Sequence, residues 1–195
     1  MKSPSDSVPR KTDGVQLATD RVLRKAKMSD IPAMIRLING FARDGIMLPR
    51  TEFELSEGIR DFTIVLDGGL ITGCAGLHFY APTIAEVRSL AVDPACQGSG
   101  AGQSLMEALE REAREYDLDV VFAFTYVPGF FAKMGYHEVE RGELPLKAWK
   151  DCLRCPKFQA CDEIAVVKLL KPNASLLHAA PLETGLIQLP ATRRN

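Results

Sequence analysis

A glycine-rich segment at residues 97–102 is the part of this sequence most suited to binding a small molecule. It reads Gln97-Gly98-Ser99-Gly100-Ala101-Gly102. Glycines let a backbone approach a bulky anion without clashes of Cβ atoms. From Ala101 onward the apolar residues recur with the period of a helix, and the N–H groups and positive dipole at the start of that helix would face the anion. The segment therefore predicts a phosphate or pyrophosphate site.

Several phosphate-binding turns compete for this segment. A P-loop needs a lysine directly after its last glycine, and Gln103 stands there instead. A dinucleotide-binding turn has the spacing G-x-G-x-x-G after the first strand of the fold. The spacing here is G-x-G-x-G, and signals for several strands and helices precede it. A turn whose glycines serve only packing is the remaining alternative.

Flanking elements must position this turn. A strand is expected over residues 85–92, stopped by Asp93-Pro94. Before it, the pattern predicts a strand at 21–27, helices at 31–43 and 51–60, and a hairpin of strands 62–66 and 70–80. After it come a helix from Ala101, an apolar strand at 119–125, a short helix at 128–134 and strands from Gly135 and Glu163.

The ordered set of strand, Val-Asp-Pro, Gln-Gly-x-Gly-x-Gly and amphipathic helix resembles the GNAT superfamily of acetyltransferases, whose turn holds the pyrophosphate of acetyl-CoA. The resemblance covers residues 21–170. It implies an α+β fold, a three-layer sandwich with a mixed, mostly antiparallel central sheet and helices on both faces. It also implies acetyl-CoA as the co-substrate. Residues 1–20 are expected to be a disordered tail, and residues 171–195 a C-terminal extension.

Within that superfamily the sequence is most similar to stand-alone N-acetylglutamate synthases. Four segments carry this similarity: residues 85–92, residues 121–125, Phe130-Phe131 with Gly135-Tyr136, and residues 143–147 continuing to the cysteines at 152 and 155. The similarity implies acetyl transfer to the α-amine of an amino acid in arginine biosynthesis, with L-glutamate as the leading candidate for the acceptor. The alternatives are another small amine, a protein amine, or a module that binds acetyl-CoA without catalysis.

Site residues follow from the resemblance. Glu86 would be the general base that deprotonates the amine, although it could instead pair with Arg88 or lie at a solvated strand end. The N–H of Val92 would stabilise the oxyanion. Strand alternation would place Glu86, Arg88 and Leu90 on one face. Coenzyme binding falls to Leu90, Ala91, Val92, Gln97, Gly98, Ser99, Gly100, Ala101, Gly102 and Gln103.

Acceptor binding needs cations for carboxylates. Arg88 is the first candidate and Lys133 and Lys147 the next, with a solvated surface role as the alternative for each lysine. His78 could line the pocket or be a structural histidine. The superfamily's usual tyrosine acid is replaced by Phe131, which leaves Tyr126, Thr125, water or an unprotonated thiolate.

Composition sets the remaining expectations. With 24 Lys plus Arg against 25 Asp plus Glu, nothing suggests nucleic acid as a partner. No apolar run reaches membrane-spanning length, and residues 1–20 lack the apolar stretch of a signal peptide, so a cytoplasmic protein is expected. Cys152, Cys155 and Cys161 form a C-x₂-C-x₅-C pattern that could hold zinc or an iron–sulfur cluster if His137, Cys74, Cys96 or Asp162 supplied a fourth ligand. Reduced thiols are the preferred interpretation, and we predict no metal. The last 25 residues would pack on the domain or on a second subunit, as in a homodimer.

Overall fold

The computed structural model describes residues 21–144, 155, 157 and 160–174. The predicted tail at 1–20, Lys147, Cys152 and most of the predicted extension lie outside the described residues.

A single seven-stranded sheet organises the described part of the chain. The strands are β1 (Arg21–Lys25), β2 (Phe62–Asp67), β3 (Leu70–Ala81), β4 (Ile84–Val92), β5 (Val120–Thr125), β6 (His137–Val139) and β7 (Ile164–Leu169). Their order across the sheet is β1-β2-β3-β4-β5-β7-β6. β4 and β5 run parallel, and the other neighbouring pairs are antiparallel. The predicted mixed, mostly antiparallel α+β fold is confirmed.

Among the described residues, four α-helices cover the sheet: α1 (Ile31–Arg43), α2 (Glu52–Glu57), α3 (Ala101–Glu115) and α4 (Pro128–Lys133). Their starts follow from local sequence. Thr51 caps α2, because its hydroxyl accepts the Glu54 N–H while the Glu54 carboxylate accepts the Thr51 N–H. Proline stands in the first turn of α1 and of α4, where its missing N–H costs nothing.

The sheet separates layers of buried apolar side chains. On one face Leu105, Leu109 and other residues of α3 pack on β3, β4 and β5. On the opposite face Met34 and Ile38 of α1 pack with Leu55 of α2 on the first strands. This arrangement leaves the centre of the sheet, at β4 and β5, covered from both sides.

β4 and β5 are paired over only three residues of each strand. Their parallel ladder pairs only Ile84–Glu86 with Val120–Phe122. Beyond Glu86, β4 continues to pair with β3 but not with β5. The two central strands therefore diverge toward their C-terminal ends and leave a gap inside the sheet.

A β-bulge in β4 marks the start of this gap. Cys74 of β3 pairs with Ala91, whereas Gly76 pairs with Arg88, so β4 carries one extra residue between these pairs. Ser89 has the positive φ of 53° there. The extra residue reverses the alternation, and Leu90 packs in the cluster that contains Ala85 and Val87. The prediction that Leu90 shares a face with Glu86 and Arg88 is therefore wrong.

Candidate active site

The glycine-rich turn forms the start of α3. Gly98 and Gly100 have φ of 77° and 86°, a region that side chains with a Cβ rarely occupy. The first helical hydrogen bond runs from Ser104 N to Gly100 O at 3.0 Å. The N–H groups of residues 101–103 precede that bond and point out of the helix end. An anion placed there meets these donors and the positive end of the helix dipole.

Arg21 of β1 fixes the turn from outside. Its guanidinium donates to the carbonyl oxygen of Ser99 at 2.9 Å and to the Ser99 hydroxyl at 3.0 Å. The same guanidinium forms a two-point contact with Asp67, at 2.9 and 3.2 Å, and Thr72 donates to that carboxylate at 2.9 Å. The ion pair lowers the pKa of Asp67 below its ordinary value, chiefly through the hydrogen bond from Arg21. Sequence reasoning missed this anchor because β1 is remote from the turn along the chain.

The backbone at the end of β4 faces the gap beside β5. Asp93 N–H donates to Thr72 O of β3 at 2.8 Å. Because successive residues of an extended strand direct their N–H and C=O groups to opposite sides, the polar groups of Val92 point away from β3. The Gln97 side chain donates to Val92 O at 3.3 Å on that side. The gap is therefore lined by strand backbone that has no neighbouring strand.

A cavity of about 360 Å³ opens from this gap. Its wall includes the loop between α1 and α2, the bulge of β4, the end of β5 and the described residues that precede β7. Glu86 lies in the wall and is only 9% exposed. The Tyr80 hydroxyl donates to its Oε2 at 2.8 Å. The cavity thus has a buried carboxylate on the strand that leads to the gap.

Arg88 and His78 lie next to Glu86 on the same face. The β3–β4 register sets His78 opposite Glu86 and Gly76 opposite Arg88. His78 Nδ1 lies 2.7 Å from Asp61 Oδ2, and an Arg88 guanidinium nitrogen lies 3.8 Å from the same oxygen. Arg88 lines the cavity, as predicted, whereas His78 has a structural partner and is not part of the cavity wall.

Two further arginines line the cavity, and sequence reasoning had not selected them. Arg50 is buried; its backbone is held by the side chain of Asn39, and its Nε lies 3.4 Å from the Ser89 hydroxyl. Arg141 donates to the carbonyl oxygens of Cys161 and Glu163. Arg50 stands in the loop between α1 and α2, and Arg141 begins a short 3₁₀ turn after β6, so no periodic signal distinguishes them from solvated arginines. Only the tertiary fold brings them to Glu86.

A second carboxylate and two thiols occupy the wall on the β7 side. Glu163 is half-buried, and desolvation raises the pKa of its carboxyl above the ordinary value. The Cys161 thiol lies 3.7 Å from Glu163 Oε2. Cys155 and Cys161 are half-buried free thiols. No group of three or more metal-ligating side chains occurs within the described residues.

Tyr126, at the end of β5, joins a polar cluster with Lys157 and Asp162. Its hydroxyl donates to Asp162 Oδ1 at 2.8 Å and accepts from Lys157 Nζ at 3.0 Å. Burial raises the pKa of Tyr126 above its ordinary value. The neighbouring Thr125 hydroxyl accepts the N–H of Val127 at 3.0 Å.

Lys133 and Phe131 differ in their position relative to the cavity. Lys133 is exposed on α4 and is not part of the cavity wall. Phe131 lines the cavity and packs edge to face against Phe130 and Tyr136, with ring centroids 5.4 and 5.3 Å apart. Phe131 therefore has a packing role at the position where many members of the superfamily have a tyrosine hydroxyl.

Comparison with known protein families identifies the family of this chain. Residues 36–136 match the model of the Acetyltransferase (GNAT) family. The chain belongs to this family. As a GNAT protein it is an acetyl-CoA-dependent N-acetyltransferase, so the predictions of the superfamily, of an acyltransferase and of acetyl-CoA as co-substrate are confirmed.

Relatives of this GNAT protein indicate a narrower group. An uncharacterized N-acetyltransferase of Chlorobaculum tepidum is 42% identical over 153 residues, which are 78% of this chain and 99% of the relative. An amino-acid acetyltransferase of Mycobacterium tuberculosis is 30% identical over 155 residues, 78% of this chain and 88% of the relative.

A solved structure extends the comparison. N-acetylglutamate synthase of Neisseria gonorrhoeae, in complex with coenzyme A and N-acetyl-glutamate, matches with a TM-score of 0.71 and 29% identity. The match covers 77% of this chain and 35% of the Neisseria chain. In the described part of the GNAT protein no helix combines the length and the apolar character needed to span a membrane.

Proposed function

We propose that this chain transfers the acetyl group of acetyl-CoA to the α-amine of L-glutamate, forming N-acetyl-L-glutamate for arginine biosynthesis. One observation carries the proposal: a single cavity joins the buried carboxylate of Glu86 to Arg50, Arg88 and Arg141, beside the gap between β4 and β5. The relatives named amino-acid acetyltransferase support an amino acid as the acceptor.

Glu86 is the general base of this reaction. An ammonium group has no lone pair, so the acceptor must lose a proton before it attacks the thioester. The carboxylate of Glu86 is buried and held in one orientation by the Tyr80 hydroxyl at 2.8 Å. Its second oxygen accepts the proton from the amine, directly or through one water molecule.

The coenzyme occupies the gap and the turn. Its pyrophosphate binds the N–H groups of Gly98 to Gln103, and its pantetheine arm lies along Leu90–Val92 in the place of a strand. The thioester oxygen then receives the N–H of Val92 as the tetrahedral intermediate forms. The direction of the Val92 backbone, opposite to that of Asp93 N–H, supports this role.

The two carboxylates of glutamate account for the cations of the cavity. Arg50, Arg88, Arg141 and Lys157 line it against two carboxylates, Glu86 and Glu163. This excess of positive charge suits a dicarboxylate, and arginine binds carboxylates in a planar two-point geometry. Arg88 is the first contact because it stands two residues after Glu86 on the same face.

The thiolate of coenzyme A does not take its proton from Tyr126, because that hydroxyl already donates to Asp162. The Thr125 hydroxyl accepts the N–H of Val127 and keeps its own proton. The thiolate therefore takes a proton from Thr125 or water, or leaves unprotonated.

An acceptor panel tests the proposal. Purified protein is incubated with acetyl-CoA and with each L-amino acid, D-glutamate, a basic peptide and spermidine, and free thiol is followed. Transfer to L-glutamate above all others is the expected result. Preference for another small amine or for the peptide would replace glutamate with that acceptor, and silence with every acceptor despite tight acetyl-CoA binding would indicate a non-catalytic module.

A further inference from the structure

Lys157 connects two walls of the cavity that belong to distant parts of the chain. Its Nζ donates to Gly45 O at 3.3 Å, in the loop that follows α1, and to the Tyr126 hydroxyl at 3.0 Å, at the end of β5. It lies 3.6 Å from Asp162 Oδ1 and 4.8 Å from the centre of the Tyr126 ring. Gly45, Tyr126 and Lys157 all line the cavity.

These contacts use the hydrogen-bonding capacity of the ammonium group. Of the three N–H donors of a lysine, two are used by Gly45 O and the Tyr126 hydroxyl, and the charge is paired with Asp162 at 3.6 Å. Lys157 is thus engaged in holding the walls together. Carboxylates of an acceptor are left to the arginines.

Burial places this connection at the mouth of the cavity. The side chains of Lys157 and Asp162 are 45% and 64% exposed, whereas Glu86 is 9% exposed. An acceptor amine must reach Glu86 at the buried end while the rest of the acceptor passes the mouth. A free amino acid fits inside, whereas a peptide needs the two walls to stand apart.

We propose that Lys157 is a specificity-determining residue that ties the α1–α2 loop to the end of β5 and restricts the acceptor to a free amino acid. This inference rests on the proposed function for the identity of the acceptor. The contacts by which Lys157 ties the two walls together do not involve the acceptor, so the tie can be measured without one.

The activity test compares L-glutamate, its α-carboxamide and the dipeptide amide L-Glu-L-Ala-NH₂. The carboxamide and the dipeptide amide both lack the α-carboxylate of glutamate and carry the same charge, so the ratio of kcat/KM for dipeptide to carboxamide reports the effect of size. Lys157→Met keeps the length of the side chain and removes the ammonium. We expect this ratio to rise about tenfold or more in the variant, the scale on which pockets discriminate acceptors by size.

Lys171→Met is the matched control. The side chain of Lys171 is 41% exposed, similar to that of Lys157, and it is paired with Asp117 and Asp119. Lys171 follows the C-terminal end of β7, whereas Glu163 and the cavity lie at its N-terminal end. Its replacement also removes one exposed ammonium that forms ion pairs. The ratio of dipeptide to carboxamide should match that of the wild type.

Hydrogen exchange provides the readout that needs no acceptor. The N–H of Ile46 is bonded to Phe41 O, and that of Val127 to the Thr125 hydroxyl. Both amides should exchange faster in Lys157→Met and at the wild-type rate in Lys171→Met. Failure of the wild type to acetylate glutamate would refute the proposed function. The hydrogen-exchange rates alone would then show whether Lys157 ties the α1–α2 loop to the end of β5. Equal use of dipeptide and carboxamide by the wild type, or unchanged exchange in Lys157→Met, would overturn the tie.

Discussion

Replacing Glu86 by glutamine separates its role as the general base from its hydrogen bond with Tyr80. The amide has the shape of the carboxylate, and its oxygen can still accept the Tyr80 hydroxyl that now donates at 2.8 Å. The side chain is 9% exposed, so a substitution that broke this bond would also damage the fold. Glu86→Gln therefore keeps the size of the side chain and the hydrogen bond from Tyr80 while it removes the negative charge and the proton acceptor.

The expected loss follows from what a positioned base contributes. General base catalysis is worth about 10²- to 10⁴-fold in rate, which is about 3 to 5 kcal/mol in the activation barrier. The variant can use only the neutral amine that exists in solution. Its rate should therefore rise steeply with pH up to the amine pKa of free glutamate, which lies above the value of about 8 for the α-amino group of a peptide because the carboxylates of glutamate stabilise the ammonium. The ratio of wild-type to variant rate should be largest in mildly acidic buffer and smallest in alkaline buffer.

The assay follows thiol release from acetyl-CoA at saturating glutamate over a range of pH, and calorimetry measures coenzyme binding in parallel. Tyr80→Phe is the matched control, because it keeps the carboxylate and removes its hydrogen-bond donor; a loss much smaller than that of Glu86→Gln is expected. A Glu86→Gln rate within about threefold of wild type at neutral pH, with coenzyme affinity unchanged, would refute the role of Glu86 as base. A ratio independent of pH would refute the reasoning about the neutral amine.

Three further predictions concern the coenzyme turn, the fold and a buried thiol. Arg21→Gln removes charge-assisted hydrogen bonds to Ser99, each worth about 1 kcal/mol where partly exposed, so the KM for acetyl-CoA should rise about tenfold with kcat little changed; an equal fall in kcat would show that the turn is not its target. Asp30→Asn should lower the free energy of unfolding at neutral pH by about 1 to 3 kcal/mol, because a hydrogen bond from Arg24 lowers the pKa of Asp30. Since the folded pKa lies below the unfolded value of about 3.9, this stabilisation is present above that value and disappears as pH falls through the folded pKa; urea unfolding that shows the same difference in strong acid would contradict it. Burial raises the pKa of Cys74 to about 12, so iodoacetamide at mildly alkaline pH should modify this thiol only after unfolding, and mass spectrometry that finds it modified in native protein would contradict the burial.

The elements of the fold were predictable because each one carries a local signal. Thr51 and Glu54 form the capping box that indicates the start of α2. Gly68 and Gly69, with φ of 58° and 82°, form the expected turn between β2 and β3. The bulge of β4 has no such signal. Ser89 adopts a positive φ where glycine or asparagine would have been the usual indication.

The site was predictable only along its own strand and turn. Glu86, Arg88 and the glycines lie close together in the sequence, so a motif contains them. Arg50 precedes α2 and Arg141 follows β6, so they are far apart along the chain, and nothing local distinguishes an arginine that lines a cavity from a solvated one. Lys133 was a candidate because acceptor carboxylates need cations, but it lies near the end of the short helix α4 and is exposed.

The short ladder between β4 and β5 gives the protein a sheet edge that lies inside the molecule. An edge at the outside of a sheet can recruit a strand from another protein, and natural proteins protect such edges against aggregation. This one is bordered by α3 on one face and by the α1–α2 side on the other. A folded neighbour cannot reach it, and only a narrow, extended molecule can enter. The divergence of two strands thus selects its ligand by width before any side chain makes contact.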